Sequence, residues 1–417
     1  MQKLIAVIFS LMLLAFFGCG KEKNIIRKGE NIKIGFIGPM TGDPGNYGKV
    51  MSQSIQIAVD EFNAEGGAHD FKAELVIEDA GTDAEKGIAA MKRLAYDDNI
   101  FGLVGACYST VSLAIAPIAE ASKILMISPA STHKDLPDKG KFIFRNIMND
   151  ALQAVVFAKY LYEVDKVKNV AILYLETDYS RTLAMDFKAQ YEKDGGKVVA
   201  VESGHYGDKD FMRQLKKIKS HKPESLYLPN YPAETAVILE QMQQLGFKTR
   251  IYSADSFANS QFFETSSDLT EGVIYTQMAE QPESSSLKNF KAEYHAKWGI
   301  KPDALNLDDI KVFYNGSVYW GAKPNRFSFN AYDGAKIILN AIRGASVKGP
   351  NGSLKIDRDK VREIVAKTKD YDGASGKITF TPNGDLVCNV GIYTVQNKKY
   401  IQLKVYKLDG DKLVRIK

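Results

Sequence analysis

The residues best placed to do chemistry sit in short segments rich in glycine, serine, threonine and tyrosine. In the first half of the chain these are Gly38-Pro-Met-Thr-Gly-Asp-Pro-Gly-Asn-Tyr-Gly48, Ala106-Cys-Tyr-Ser-Thr110 and Ser128-Pro-Ala-Ser-Thr132. Further along come Glu176-Thr-Asp-Tyr179, Pro229-Asn-Tyr231 and Ala254-Asp255. Each follows an apolar run that reads as a strand. In open parallel sheets, ligands bind beyond the carboxyl ends of strands, so these are the loops that would meet one. The first half offers hydroxyls and helix-start amides, which suit an anion. The second half offers a lone carboxylate, Asp255, which suits a cation, and each half supplies tyrosines that could stand between them. There is no Gly-x-Gly-x-x-Gly after a strand, no Walker loop, no Gly-x-Ser-x-Gly and no His-Glu-x-x-His. The five histidines, at 69, 133, 205, 221 and 295, have no paired spacing. No enzyme, metal site or cofactor is therefore expected.

The elements that position these loops follow from hydrophobic periodicity. Ile32–Ile37 reads as a strand, Ser52–Phe62 as a helix, Ala73–Glu78 as a strand and Asp83–Tyr96 as a helix. Gly102–Gly105 (strand), Val111–Ala121 (helix), Ile124–Ile127 and Phe142–Phe144 (strands) follow. The pattern then restarts. Helices are expected at 150–163, 183–194 and 233–245, and strands at 169–175, 197–202, 225–228, 250–253 and 272–275. Helices at 285–298, 329–343 and 357–368 precede a β-rich ending over 377–413. Two successive alternations predict an α/β protein of two doubly wound parallel-sheet lobes, each covered by helices on both faces. A length of 417 residues also favours two cores over one.

The start of the chain points outside the cytoplasm. Lys3 is followed by an almost wholly apolar run, Leu4–Phe17, and then by Gly18, Cys19 and a polar stretch. This reads as a signal peptide over 1–18 ending before a cysteine, or as an uncleaved anchor helix. Cys107 and Cys388 are expected as unpaired thiols. A formal charge of +5, with no block of five like charges, argues against nucleic acid as a partner.

Several segments together resemble one family. They are Ile34-Gly-Phe-Ile-Gly-Pro-Met-Thr-Gly42 with Tyr47-Gly48, Gly105-Ala-Cys-Tyr-Ser-Thr110 and Ile124-Leu-Met-Ile-Ser-Pro-Ala-Ser-Thr132. The fourth is Gly373-Ala-Ser-Gly-Lys-Ile-Thr-Phe-Thr-Pro-Asn-Gly-Asp385. In this order and spacing, over about residues 31–405, they resemble the extracytoplasmic solute-binding proteins of ABC transporters for leucine, isoleucine, valine and related amino acids. Those proteins have the type I periplasmic-binding-protein fold. The N-terminus resembles a lipoprotein signal, with Cys19 as the lipidated residue and 19–30 as a tether.

The resemblance implies a ligand carboxylate on Ser109 and Thr132, and a ligand ammonium on Asp255 and the Ala130 carbonyl. Tyr47, Cys107, Tyr108, Tyr179 and Tyr231 would form the pocket walls, with Cys107 open between packing and ligand contact. The family position matching Asp255 is usually Glu. A disulfide seen in some relatives cannot form, because Tyr108 and Gly81 occupy the matching places. Lobe 1 is expected over 31–146 plus 279–380 and lobe 2 over 149–276 plus 383–417, with a three-crossing hinge between them. Residues 305–325 are an insertion in lobe 1, read either as a surface excursion or as a flap or partner contact. The implied activity is delivery of a small amino acid to a membrane-embedded ABC permease. The alternative is a ligand-sensing regulatory lipoprotein of the same fold.

Overall fold

Five parallel strands make the first sheet: β1 (Ile32–Gly38), β2 (Ala73–Asp79), β3 (Gly102–Gly105), β4 (Leu125–Ser128) and β5 (Ile143–Arg145). Their spatial order is β2-β1-β3-β4-β5. The second sheet begins with β6 (Asn169–Leu175), β7 (Lys197–Gly204), β8 (Ser225–Leu228), β9 (Arg250–Ser253) and β10 (Ile274–Met278), all parallel to their neighbours. The C-terminal strands β11 (Val390–Gln396), β12 (Lys399–Asp409) and β13 (Lys412–Arg415) add antiparallel at the β10 edge. The order is β13-β12-β11-β10-β9-β8-β6-β7. Its parallel part therefore repeats the winding of the first sheet, and each sheet has a switch point where ligands bind in such folds. This computed structural model describes residues 24–42, 45–257, 268–299, 311–314, 317–320, 324–397 and 399–416. The signal peptide and Cys19 lie outside those residues, as does most of 305–325. Within that segment the described residues show Lys311–Tyr314 paired antiparallel with Ser317–Trp320.

The helices cover both sheets. They are α1 (Gly45–Ala64), α2 (Ala84–Lys92), α3 (Ser109–Ala121), α4 (Asp150–Lys159), α5 (Asp178–Lys193), α6 (Met212–Ser220) and α7 (Pro232–Gln244). After β10 come α8 (Ser285–Trp298), α9 (Arg326–Ala345) and α10 (Arg358–Ala366). The late helix α9 returns to the first sheet: Ile338 packs on Gly102, and Gly334 lies against Ile127 and Val104. It is also tied to α1, through Tyr332 Oη and Lys336 Nζ, each donating to Glu61 Oε2 at 2.7 Å. A capping box at Asn325 and Ser328 starts it.

Two helices begin five or more residues earlier than hydrophobic periodicity indicates, and both shifts matter for the site. Helix α1 starts at Gly45 rather than Ser52, so Tyr47 lies on its first turn. Gly42 turns the chain at positive φ, and a Cβ at Gly48 would run into the Pro39 carbonyl. Helix α5 starts at Asp178 rather than Leu183, because Thr177 caps it by accepting from Ser180 N. Tyr179 is thus a helical residue. Periodicity misses both starts because first-turn residues satisfy caps and ligands rather than a core stripe.

The chain passes between the sheets three times: after β5, after β10, and between Ile378 and β11. The crossings lie side by side. Arg145 N donates to Gly384 O at 3.0 Å, and Ala279 N donates to Asn389 O at 3.0 Å. The fully buried Arg145 donates from Nε to Asp385 Oδ1 at 2.5 Å, and from Nη1 to His133 O at 2.5 Å. Asn149 Nδ2 reaches the other oxygen of Asp385 at 3.0 Å. One carboxylate thus joins the first and last crossings.

Candidate ligand-binding cleft

The loops at the carboxyl ends of the two sheets face each other across a cavity of about 500 Å³, counting its open mouth. Its first-sheet wall is Tyr47, Met51, Cys107, Tyr108, Ser109, Ala130 and Phe327, and its second-sheet wall is Tyr179, Tyr231, Pro232, Asp255 and Ser256.

Ser109 opens helix α3, and Tyr108, the residue before it, makes no side-chain cap. The first-turn amides of a helix have no intrahelical partners and carry partial positive charge. Behind them, three hydroxyls from Ser112, Ser128 and Ser131 converge on the Ala106 carbonyl at 3.1, 2.8 and 3.2 Å. They lock the β3 and β4 loops together and hold the start of α3 in place.

Asp255 stands on the opposite wall, in a short 3-10 turn after β9. It is 3% exposed. Tyr179 Oη donates to its Oδ1 at 2.9 Å, and Gln153 Nε2 donates to the same oxygen at 3.0 Å. Burial raises its pKa, while the Gln153 and Tyr179 hydrogen bonds pull the other way. Tyr179, buried beside this carboxylate, has its pKa driven far up and stays a donor. Tyr179 and Tyr231 stack with ring centroids 5.2 Å apart, and Tyr108 meets Tyr231 edge-on at 5.0 Å. Tyr47 packs on Phe327 at 5.9 Å. Cys107 and Cys388 are free thiols. Cys107 Sγ lies 3.5 Å from Met51 Sδ in the cavity wall. Burial pushes its pKa up, and lifts that of Cys388 to about 12.

The structure therefore brings together Tyr47, Cys107, Tyr108, Ser109, Ala130, Tyr179, Tyr231 and Asp255. It does not bring Thr132 to the cavity wall. Among the described residues the Thr132 hydroxyl is buried without a well-formed hydrogen bond, close enough to Asp150 to favour its charged form. The reason is local: Thr132 O accepts from Asp150 N at 2.9 Å, which ties the residue to the start of α4. Sequence reasoning missed Met51, Pro232, Ser256 and Phe327. Met51 lies one turn after Tyr47, so the true start of α1 would have revealed it. It also missed Gln153 and Asp150, which stand behind Asp255 and share one face of α4 by their spacing of three. Among the described residues no helix is long and apolar enough to cross a membrane, and no cluster of metal-ligating side chains occurs.

Two wound sheets, three crossings and a cleft lined from both sides define a two-lobed solute-binding protein. The model of the family described as periplasmic binding protein matches residues 31–399, and the chain belongs to that family. It is 29% identical over 357 residues to the Leu/Ile/Val-binding protein BraC3 of Rhizobium johnstonii, covering 85% of this chain and 89% of that one. A leucine-binding protein, LivK, of Thermotoga maritima superposes with a TM-score of 0.76 at 29% identity, covering 90% of this chain and 98% of its own. LivJ of Streptococcus pneumoniae, solved with isoleucine, gives a TM-score of 0.75 at 24% identity, over 93% of this chain and all of the other. Proteins of this family work outside the cytoplasm.

Proposed function

We propose that this protein is a receptor for a small α-amino acid, branched-chain or related, which it passes to an ABC permease. The observation that supports this reading is the polarity of the cleft. An uncapped helix start at Ser109 faces one way and the buried carboxylate of Asp255 faces the other. A zwitterion matches that arrangement. The carboxylate would take the Ser109 hydroxyl and the α3 amides, and the ammonium would take Asp255 and the Ala130 carbonyl. Tyr47, Met51, Cys107, Tyr108, Tyr231 and Phe327 would surround an apolar side chain. Thr132 would act on Asp150 rather than on the ligand. Because the ligand bridges both walls, binding would favour the closed form. The names of the relatives, which bind leucine, isoleucine and valine, agree with this reading.

The proposed lobes are 31–146 plus 279–380 and 149–276 plus 383–417. Cys19 would carry lipid that anchors the protein to a bacterial membrane. A thermal-shift screen of residues 24–417 against all amino acids and small carboxylates tests the ligand class. A ligand at 100 times its Kd stabilises by about 2.7 kcal/mol. If no α-amino acid raises the melt while another solute class does, the reading is wrong.

A further inference from the structure

Asp150 has no part in the ligand scheme above, yet it lies directly behind it. It is fully buried, and among the described residues its Oδ2 makes no well-formed hydrogen bond. Its Oδ1 accepts from Gln153 Nε2 at 3.4 Å, the same nitrogen that donates to Asp255 Oδ1 at 3.0 Å. The amide cannot be turned the other way. Gln153 Oε1 accepts from Asp255 N at 3.0 Å and from Thr276 Oγ1 at 2.6 Å. Two carboxylate oxygens on one nitrogen at these lengths stand within about 6.4 Å of each other.

We propose that Asp150 and Asp255 act as one ammonium-sensing pair: in the empty cleft they share a single proton, and a ligand ammonium expels that proton to solvent. This deepens the amino-acid reading and rests on it. The exchange conserves charge. The empty pair carries one proton and a net charge of −1; the occupied pair carries two negative charges and one ammonium, again −1. The buried site thus never holds two bare carboxylates, which like-charge repulsion in a desolvated space forbids.

The surroundings agree. Burial raises the pKa of both groups, and the charge of Asp255 raises that of Asp150 further. The cation that acts on Asp150 is Arg145, from β5, but its guanidinium is already bound to Asp385 and the His133 carbonyl. From α5, Asp186 adds negative charge, itself paired with Lys134 at 2.8 Å. Thr132 faces Asp150 from the loop after β4. The phenols of Tyr179, Tyr227, Tyr231 and Tyr47 complete the ring from α5, β8, the start of α7 and α1. All four stay protonated, because burial drives their pKa values up. Proton and ammonium then compete for one place, and affinity rises about tenfold per pH unit while the pair still holds its proton.

The experiment is calorimetric titration with the best amino acid from the screen, at one pH, in buffers of different ionisation enthalpy. Wild type should release about one proton per ligand bound. Asp150→Asn should still bind and release close to none, because Asp255 then ionises alone. Wild type that binds with no proton release overturns the proposal, as does an Asp150→Asn variant that releases a full proton. The infrared carbonyl band of a protonated carboxyl group gives a second reading that needs no variant. Recorded well above the value of about 6 at which Asp333 titrates, it should be present in empty wild type and vanish on ligand addition, and its absence from the empty protein overturns the proposal whatever the variant does. If no α-amino acid binds at all, the functional reading fails on its own, and the band in the empty protein still decides whether the pair shares a proton.

Discussion

Thr110 Oγ1, on α3 of the first lobe, donates a 2.7 Å hydrogen bond to Asp178 Oδ2, on α5 of the second. Among the described residues it is one of three bonds that run from the first lobe to α5. His133 Nε2 meets Thr182 Oγ1 at 3.0 Å, and Lys134 Nζ meets Asp186 Oδ1 at 2.8 Å. These bonds form only when the lobes are together, so they stabilise the closed form and leave the ligand contacts untouched. The Asp178→Ala, Asp186→Ala double variant should therefore bind about threefold to tenfold more weakly, since partly exposed pairs contribute at most about 1 kcal/mol each. Its melt without ligand should fall only slightly, and small-angle scattering should show a more open empty protein. Unaltered affinity together with unaltered scattering would mean the clasp contributes nothing to closure.

Removing the charge of Asp255 should weaken an α-amino acid by roughly 100-fold or more. Breaking a buried charge pair from one side costs on the order of 3–5 kcal/mol. An Asp255→Asn protein that binds within about threefold of wild type would show that Asp255 is not the ammonium partner. The residue is buried and bonded to Gln153 and Tyr179. The melt of the empty variant must accordingly be measured beside its affinity.

The two hydroxyls expected at the ligand carboxylate should part company. Ser109 lines the cleft and Thr132 does not. Ser109→Ala should cost about tenfold in affinity, less than Asp255→Asn, because the α3 amides remain. Thr132→Val, which keeps the shape, should stay within about threefold. Calorimetric titration of both variants with the same ligand decides it, and a larger loss at Thr132 would return that hydroxyl to the binding site.

Asp333 on α9 gives the protein a pH-dependent stability. Burial raises its pKa from 3.8 to about 6, against hydrogen bonds from Ser375 and from the Ala374 and Ser375 amides. The folded state then binds a proton more tightly than the unfolded chain. Its contribution is fully present below the unfolded value and is lost as pH rises through about 6. Between pH 4 and pH 7, wild type should lose roughly 2 kcal/mol relative to Asp333→Asn. Denaturant melts of the two proteins at both pH values check this, and parallel stability curves would contradict it.

At the hinge, Asp385 holds both the buried Arg145 and Asn149. Asp385→Ala leaves a buried guanidinium without its counter-charge, and stability should fall by about 3–5 kcal/mol. A melt within a degree or two of wild type would show that Arg145 finds another partner.

Much of the fold was legible in the order of apolar runs. Alternating strands and helices that restart after Phe144 reproduce the winding of both sheets, because burial on two faces demands continuous apolar strands. The segments around Ser109, Ala130, Tyr231 and Asp255 were legible as well, because they follow strands, and wound sheets place such loops at one edge. What the pattern could not show was how far each first turn extends. Tyr47 and Tyr179 sit on helix starts whose caps and glycine contacts depend on neighbours far along the chain. Nor could it separate Ser109 from Thr132, two hydroxyls in similar loops. Only the packing of α4 against the β4 loop sends Thr132 to Asp150 and away from the cleft. The same is true of Gln153, whose amide joins two carboxylates 105 positions apart in the chain. Local sequence determines which segments are strands, helices and loops, because that choice depends on neighbours a few residues away. Which buried polar groups share a partner depends on distances between elements, and those exist only once the lobes have folded and closed.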